Sequence, residues 1–479
     1  MAVPLLVPAA ACGAVTLTDA QESVRAAMVA SSSRFQLLAA PPGCGKTVVM
    51  MEIIRGYIAR GFWALCLVPL SRVCGDIRRK LVAAGVSEPI AASTVITIQK
   101  FTHRGYVVPS AAVTAKRRLI LIDEALAASS ETLDAVYRKV GGDASAVRFA
   151  LFGDPFQTPA VGTPAAHSVL LHPGTLQLFA FSSSQSQRQS HPMISTILAS
   201  LRSVRSVPAA AHRALALWHY AGSTRAVDTW IVASHRLVDY YNRLWQSSSG
   251  AATLTASTVH VRMPVAAQDV HPVRLCIDDN GDGPVLRPNV MATSNFKVTD
   301  DSGDEYQVTN RDVGRVLGWV TDGYESSATT TTTCGDSTLA VTVQFCTDDG
   351  AATGPPVVVT PILVDDGRCR RLPLQGLGAV TIKVLQGMSL PKTQTYGVDD
   401  EGAVDLRSFH TVAVSRVEEK DASVDLVAGA GQYGLVRVKY SAASGVLNDV
   451  PRTAAETALR LRIADLYEGG DGPGDGGCA

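Results

Sequence analysis

Short, continuous apolar runs alternate with helically spaced segments over the first third of the chain. Gln21 to Val29 has helical spacing, Phe35-Gln-Leu-Leu-Ala39 is a short, mainly apolar strand, Pro41 to Gly45 is a tight loop, and Thr47 to Arg60 is helical again. A strand follows at Ala64–Val68, then a basic helix at Asp76–Ala84, then strands at Val95–Ile98, Leu119–Ile122 and Arg148–Phe152. Strands that are apolar at every position are buried on both faces, and the interleaved helices supply the cover. The pattern therefore predicts an α/β fold built on a parallel sheet. A second unit of the same kind begins near Ala209, with a strand at Asp228–Ala233 and a helix at Arg236–Trp245.

The texture changes near Val261. Up to about Pro373 the chain is rich in Val, Thr, Asp and Gly, with turn signals at Asp279-Asn-Gly-Asp282 and Asp300-Asp-Ser-Gly303. This reads as a small all-β insertion, with the Thr329–Thr333 run as a loop. Helix and strand patterning returns from Gly376 to about Tyr467. The expected organisation is a flexible leader at 1–13, a first α/β domain at 14–205, a second at 206–262 and 374–467, a β-rich insertion at 263–373, and a disordered Gly/Asp-rich tail at 468–479.

Composition narrows the function classes. Of 479 residues, 46% are hydrophobic and 18% charged, enough apolar surface for several cores and too much for a disordered or collagen-like chain. Lys+Arg and Asp+Glu balance at 43 each, so any nucleic-acid surface must be a local groove. The nine cysteines form no CxxC pair, which argues against a zinc ribbon or disulfide framework and for a reducing, intracellular compartment. No apolar run approaches the roughly 20 residues of a membrane span.

The chemistry is carried first by Ala40-Pro-Pro-Gly-Cys-Gly-Lys46-Thr47, a phosphate-loop pattern between an apolar strand and a helix. Glycines let backbone N–H groups converge on phosphates, Lys46 reaches the β/γ oxygens, and the Thr47 hydroxyl ligates Mg²⁺. Pro42, Gly43, Cys44 and Gly45 form the cradle. The partner carboxylates stand at the end of Arg118-Leu-Ile-Leu-Ile-Asp123-Glu124, with Asp123 toward the Mg²⁺ and Glu124 as general base. No His/Cys set has metal spacing, so ATP and Mg²⁺ are the expected cofactors.

A third strand ends in Leu151-Phe-Gly-Asp-Pro-Phe-Gln157-Thr-Pro159. It resembles motif III of superfamily 1 helicases, which implies that Gln157 senses the γ-phosphate. Further motifs follow the same resemblance. Gln21 in Leu17-Thr-Asp-Ala-Gln21 looks like the adenine-reading Q motif. Pro69, Ser71 and Arg72 look like motif Ia, and Thr97, Gln99 and Phe101 look like the strand-edge segment that touches the DNA backbone. Arg188 resembles the motif IV arginine, a γ-phosphate ligand. Ile231 to Asn242 resembles the first strand and helix of a second RecA-like domain. Thr381, Gln386 and Gly387 look like motif V, and Arg416 looks like the motif VI arginine finger.

The resemblance implies two RecA-like domains around one nucleotide, acting on single-stranded DNA and duplex junctions, with replication or recombination proteins as partners and a monomer compatible with the motif series. Asn310-Arg-Asp-Val-Gly314 resembles a turn in the SH3-like insertion of the RecD-like and Dda-like 5′-to-3′ branch, and the short length resembles a phage or viral enzyme. The chain departs from that branch at Lys383-Val384-Leu385, Leu70 and His235. Residue by residue, alternatives stand beside the DNA track: Phe101 as core, Arg72 as a solvated helix-start charge, and Arg78-Arg79-Lys80 and Lys116-Arg117-Arg118 as solvated faces. Two other functions stand beside the DNA helicase, a viral RNA helicase and a non-motor P-loop NTPase or clamp.

Overall fold

The computed structural model describes residues 16–109, 115, 117–140, 146–160, 162–181, 195, 198–199, 201–202, 229–248, 260–261, 273–274, 290–299, 305–321, 339–346, 352–360, 362–364, 369–371, 373–386, 396–403, 405–416, 435–439 and 453–468. The expected leader, the Thr329–Thr333 loop and all of the expected tail but Glu468, which ends a helix, lie outside them.

Contacts divide the chain into two compact units. One comprises Met1–Leu215, Val404–Ser415 and Val446–Ala479, the other Ala216–Ala403 and Arg416–Gly445. The first unit opens with helix α1 (Asp19–Ala30), strand β1 (Phe35–Ala39) and helix α2 (Lys46–Ala59). Next come β2 (Trp63–Val68), α3 (Ser71–Ala83), α4 (Glu88–Thr94), β3 (Val95–Thr97) and α5 (Ile98–Thr102). Then follow β4 (Arg118–Ile122), α6 (Ser130–Val140), β5 (Val147–Gly153) and β6 (Leu176–Ala180). The six strands form one parallel sheet in the order β3-β2-β4-β5-β1-β6.

Its strands are predominantly apolar because both faces are covered. Leu38, Cys66, Val68, Leu119, Leu121, Ala150 and Phe152 enter one core with α1, α2 and α3. Their neighbours Leu37, Ala39, Leu65, Leu67, Ile120, Ile122, Phe149 and Leu151 enter the other, with α5 and α6.

The second unit begins with β7 (Thr229–Val232) and α7 (His235–Ser248). An antiparallel β insertion follows. It contains the pair β8 (His260–Val261) and β9 (Val273–Arg274), and the hairpin β11 (Phe296–Thr299) and β12 (Glu305–Val308) beside β10 (Val290–Ala292). It continues with β13 (Val313–Thr321), β14 (Leu339–Cys346), β15 (Val357–Val359), the pair β16 (Ile362–Val364) and β17 (Cys369–Arg371), and β18 (Leu374–Gly376). Its main sheet runs β15-β14-β13-β10-β18. The strands thus reach a few residues past each end of the expected 263–373 range. After it, β19 (Ala379–Thr381), the short helix α8 (Ile382–Leu385), β20 (Tyr396–Asp399) and, later, β21 (Leu435–Lys439) complete a second parallel sheet, β19-β7-β20-β21.

The remaining helices correct the expected boundaries. The sequence reading put 374–467 in the second domain. Helix α9 (Leu406–Ser415) and helix α10 (Ala454–Glu468) instead fall in segments grouped with the first unit. The reason is packing: Leu459 and Ile463 of α10 are buried in the same core as Leu37, Ile120 and Leu176. At the start of α10, Thr453 and Glu456 form a reciprocal capping box.

Candidate nucleotide and nucleic-acid site

In a parallel α/β sheet, ligands gather at the carboxyl ends of the strands. The sheet order of the first unit places the sequence-predicted residues there as two neighbouring groups. β4, β5 and β1 end in Asp123-Glu124, the Asp154–Gln157 loop and the phosphate loop. β2 and β3, adjacent at one edge, end in Pro69-Leu-Ser71 and Thr97-Ile-Gln99.

The phosphate loop is tied down at both ends. Ala40 N–H donates to the Gly153 carbonyl at 3.1 Å, so β5 anchors its start. Gly45 caps α2 at φ +83°, and its carbonyl accepts from the Val48 and Val49 N–H groups. That left-handed conformation suits glycine. Space demands it too, because a Cβ at Gly45 would lie 2.3 Å from Gln21 Nε2. Gln21 Nε2 donates to the Cys44 carbonyl at 3.1 Å, while its Oε1 accepts from Thr18 N–H at 3.0 Å in a capping box. The expected base-reading glutamine is thus also a strut between α1 and the loop. Lys46 Nζ donates to the Ala40 and Pro41 carbonyls at 2.8 and 3.2 Å. A bound phosphate would exchange those bonds for charge-assisted ones. Thr47 stands in the first turn of α2, and Cys44 is a buried free thiol.

Asp123 is only 8% exposed. Burial and the adjacent Glu124 carboxylate push it up to about 7, against the pull of Lys46. Its Oδ1 accepts from Glu124 N–H at 3.1 Å. Glu124 is held at φ +48°, a left-handed conformation rare for a side-chain-bearing residue. It turns the chain sharply off the strand end. A buried carboxylate beside a second one, with a lysine and a threonine hydroxyl at the same sheet edge, suits a hard divalent cation shared with phosphate oxygens. Among the described residues, no group of three or more His, Cys, Asp or Glu side chains forms a metal cage by itself.

Gln157 is 3% exposed, and neither its Oε1 nor its Nε2 hydrogen-bonds any described group. Its loop is braced by groups that the sequence reading missed. Asp154 accepts from Phe156 N–H at 3.1 Å and forms a buried ion pair with Arg202. Arg460 donates to the Pro155 carbonyl at 2.9 Å through Nε and 2.5 Å through Nη2. Arg407 of α9 donates to the Leu201 carbonyl at 2.5 Å. The only local sequence signal was the Thr-x-x-Glu cap of α10.

The edge group is less uniform. Pro69 and Ser71 are half-buried, Gln99 is exposed, and Thr97 caps α5 by accepting from Lys100 N–H at 3.2 Å. One expectation is corrected. Phe101 is 0% exposed, packed in the core and 5.4 Å from Tyr106, so its ring cannot stack on a base as it lies. Arg72 is also buried, which excludes its alternative reading as a solvated helix-start charge.

In the second unit, Thr381 is buried at the N-cap of α8 and Gln386 is half-buried at its C-cap. Val384 and Leu385 are buried in that helix. Tyr241 donates to Asp399 at 2.6 Å and stacks on Trp230 at 4.2 Å, joining β7, α7 and β20. Arg416 follows α9 and is buried. Arg188 and Gly387 lie outside the described residues.

The family model described as an AAA domain matches residues 16–225. A search of curated proteins finds no match. Among solved structures, the Pif1 helicase from Candida albicans is similar at 17% identity and a TM-score of 0.59, over 94% of this chain and 99% of that one. Bacteroides Pif1 in complex with ADP-AlF3 and single-stranded DNA is similar at 15% identity and a TM-score of 0.56, over 95% and 98%. Bacteroides Pif1 bound to single-stranded DNA gives 15% and 0.55 over the same shares. The chain therefore has the α/β helicase fold of these proteins along nearly its whole length.

Proposed function

We propose that the chain is an ATP-hydrolysing DNA helicase of superfamily 1, a motor that moves 5′ to 3′ on single-stranded DNA. The observation that carries this reading is the shared sheet edge. Lys46, Thr47, Asp123, Glu124 and Gln157 stand at the ends of three adjacent strands, with Pro69, Ser71, Thr97 and Gln99 at the two next to them. Lys46 would neutralise charge on the β/γ oxygens, and Glu124 would take the proton of the attacking water. Thr47 and Asp123 would hold Mg²⁺, which supplies charge stabilisation to the phosphates when bound. Arg188 and Arg416 are proposed γ-phosphate ligands, and Thr381 and Gln386 are proposed contacts to the strand. The nucleotide and single-stranded DNA held by the Bacteroides relative support the pairing of the two sites. The 5′-to-3′ direction rests on the β insertion and its likeness to the RecD-like branch; the solved structures reported above are of Pif1 helicases.

The test is ATP hydrolysis with no nucleic acid, with single-stranded DNA and with single-stranded RNA. Stimulation by DNA, abolished in Lys46→Ala, is the expected result. Equal or greater stimulation by RNA would favour an RNA helicase, and hydrolysis indifferent to both would favour a non-motor NTPase.

A further inference from the structure

Gln157 is buried, and no described protein group hydrogen-bonds its side-chain amide. The loop that carries it, residues 154–158, is tied to two arginines from outside the loop. The guanidinium carbon of Arg202 lies 4.8 Å from the centroid of the Phe156 ring, and that of Arg460 lies 4.9 Å from it. Arg202 also pairs with Asp154, and Arg460 donates twice to the Pro155 carbonyl.

We propose that Arg460, on the C-terminal helix, is a positioning residue for ATP hydrolysis, fixing through Pro155 and Phe156 the loop that presents Gln157 to the nucleotide. The proposal rests on the motor reading above. The docking of α10 does not itself require this charge, because Leu459 and Ile463 already bury that face of the helix in the core. An arginine whose residue is only 7% exposed is costly to bury unless its fork and its flat face are both used. Here the fork meets a loop carbonyl and the face meets a loop ring. Arg460 and Gln157 also line one cavity of about 30 Å³, together with Asp154 and Glu456. The arginine and the glutamine thus border the same small space.

The test uses the full chain with Arg460→Ala, Arg460→Lys and, as a control on the same helix, Arg462→Ala, whose side chain reaches the Pro173 carbonyl instead. Amide hydrogen exchange is read at Phe156 and Gln157. Arg460→Ala is expected to speed exchange there by about tenfold or more, with α10 itself still protected. Lys, which gives one donor and no flat face, is expected to fall between, and Arg462→Ala to match wild type. In DNA-stimulated hydrolysis, Arg460→Ala should lower kcat about 10- to 100-fold with KM for ATP within about twofold. Added to Gln157→Ala, it should cost nothing more, because the two act through one group. Unchanged exchange at Phe156 and Gln157, or a fully multiplicative loss in the double variant, overturns the proposal. Should the wild-type chain show no nucleic-acid-stimulated hydrolysis, the motor reading fails by itself, and the exchange measurement still decides whether Arg460 clamps the loop.

Discussion

Asp123 and Glu124 are adjacent in sequence, yet the fold gives them opposite treatment. Asp123 is buried and titrates near 7, well above its ordinary 3.8, chiefly because burial disfavours its charge. The folded state therefore holds that proton more tightly than the unfolded chain. This contribution to stability is full below about pH 4 and is lost as pH rises through about 7. Urea unfolding of the nucleotide-free protein should show a larger free energy at pH 5 than at pH 8, and Asp123→Asn should flatten that difference. Glu124, in its left-handed turn, is the proposed base. Glu124→Gln keeps the shape and loses the proton acceptor, so turnover should fall by about 10²–10⁴ while nucleotide affinity and unfolding free energy stay near wild type. A collapse of affinity with turnover retained would make Glu124 structural. Phe101 illustrates where reading residues alone runs out. An aromatic after a strand end suits base stacking and core packing equally, and only the fold decides. Being fully buried, Phe101→Ala should cost about 3–5 kcal/mol of stability, and any loss of DNA affinity should vanish under conditions where the variant is fully folded.

Elements were legible where one element carries its own signal. The phosphate loop, five of the six strands of the first sheet and the antiparallel insertion each announce themselves by local pattern, glycine placement or turn chemistry, whereas β6 at the sheet edge was not foreseen. What stayed hidden were long-range dockings. Nothing local tells that α10 packs beside β6 while Arg416–Gly445 are grouped with the other unit, because Leu459 and Ile463 would bury equally well on any apolar face. Likewise nothing local tells that Val384 and Leu385 are buried in α8. The phosphate loop gives a sharp test at this scale, because two independent reasons require glycine at 45. Its φ is left-handed, and a Cβ would strike Gln21. Gly45→Ala should therefore lower ATP affinity by at least about tenfold. Adding Gln21→Ala should recover only part of the loss, since it opens space without relieving the backbone. Full recovery would show that φ at 45 is not a constraint.

At the scale of the whole molecule, the nucleotide chemistry is blind to direction. Lys46, Asp123 and Glu124 would serve a motor moving either way along a strand. Direction depends on which unit grips the strand more tightly in each nucleotide state, and so on the features outside the phosphate site. Two such features separate this chain from a helicase with large helical insertions in both domains. The stretch from Phe101 to Leu119 is short, and among its described residues no helix follows α5. Among the described residues, the segment between α7 and β19 consists of antiparallel strands. The proposed 5′-to-3′ direction rests on these two features. The expected outcome is that the protein unwinds a duplex carrying a 5′ single-stranded tail and leaves 3′-tailed and blunt duplexes intact. The three substrates should share one sequence and be assayed at one low salt concentration, because backbone phosphate contacts make binding steeply salt-dependent. Lys46→Ala should unwind none of them, which separates motor action from passive strand capture. Unwinding of only the 3′-tailed duplex would overturn the direction while leaving the motor in place, and would mean that the antiparallel sheet does not decide which unit holds the strand.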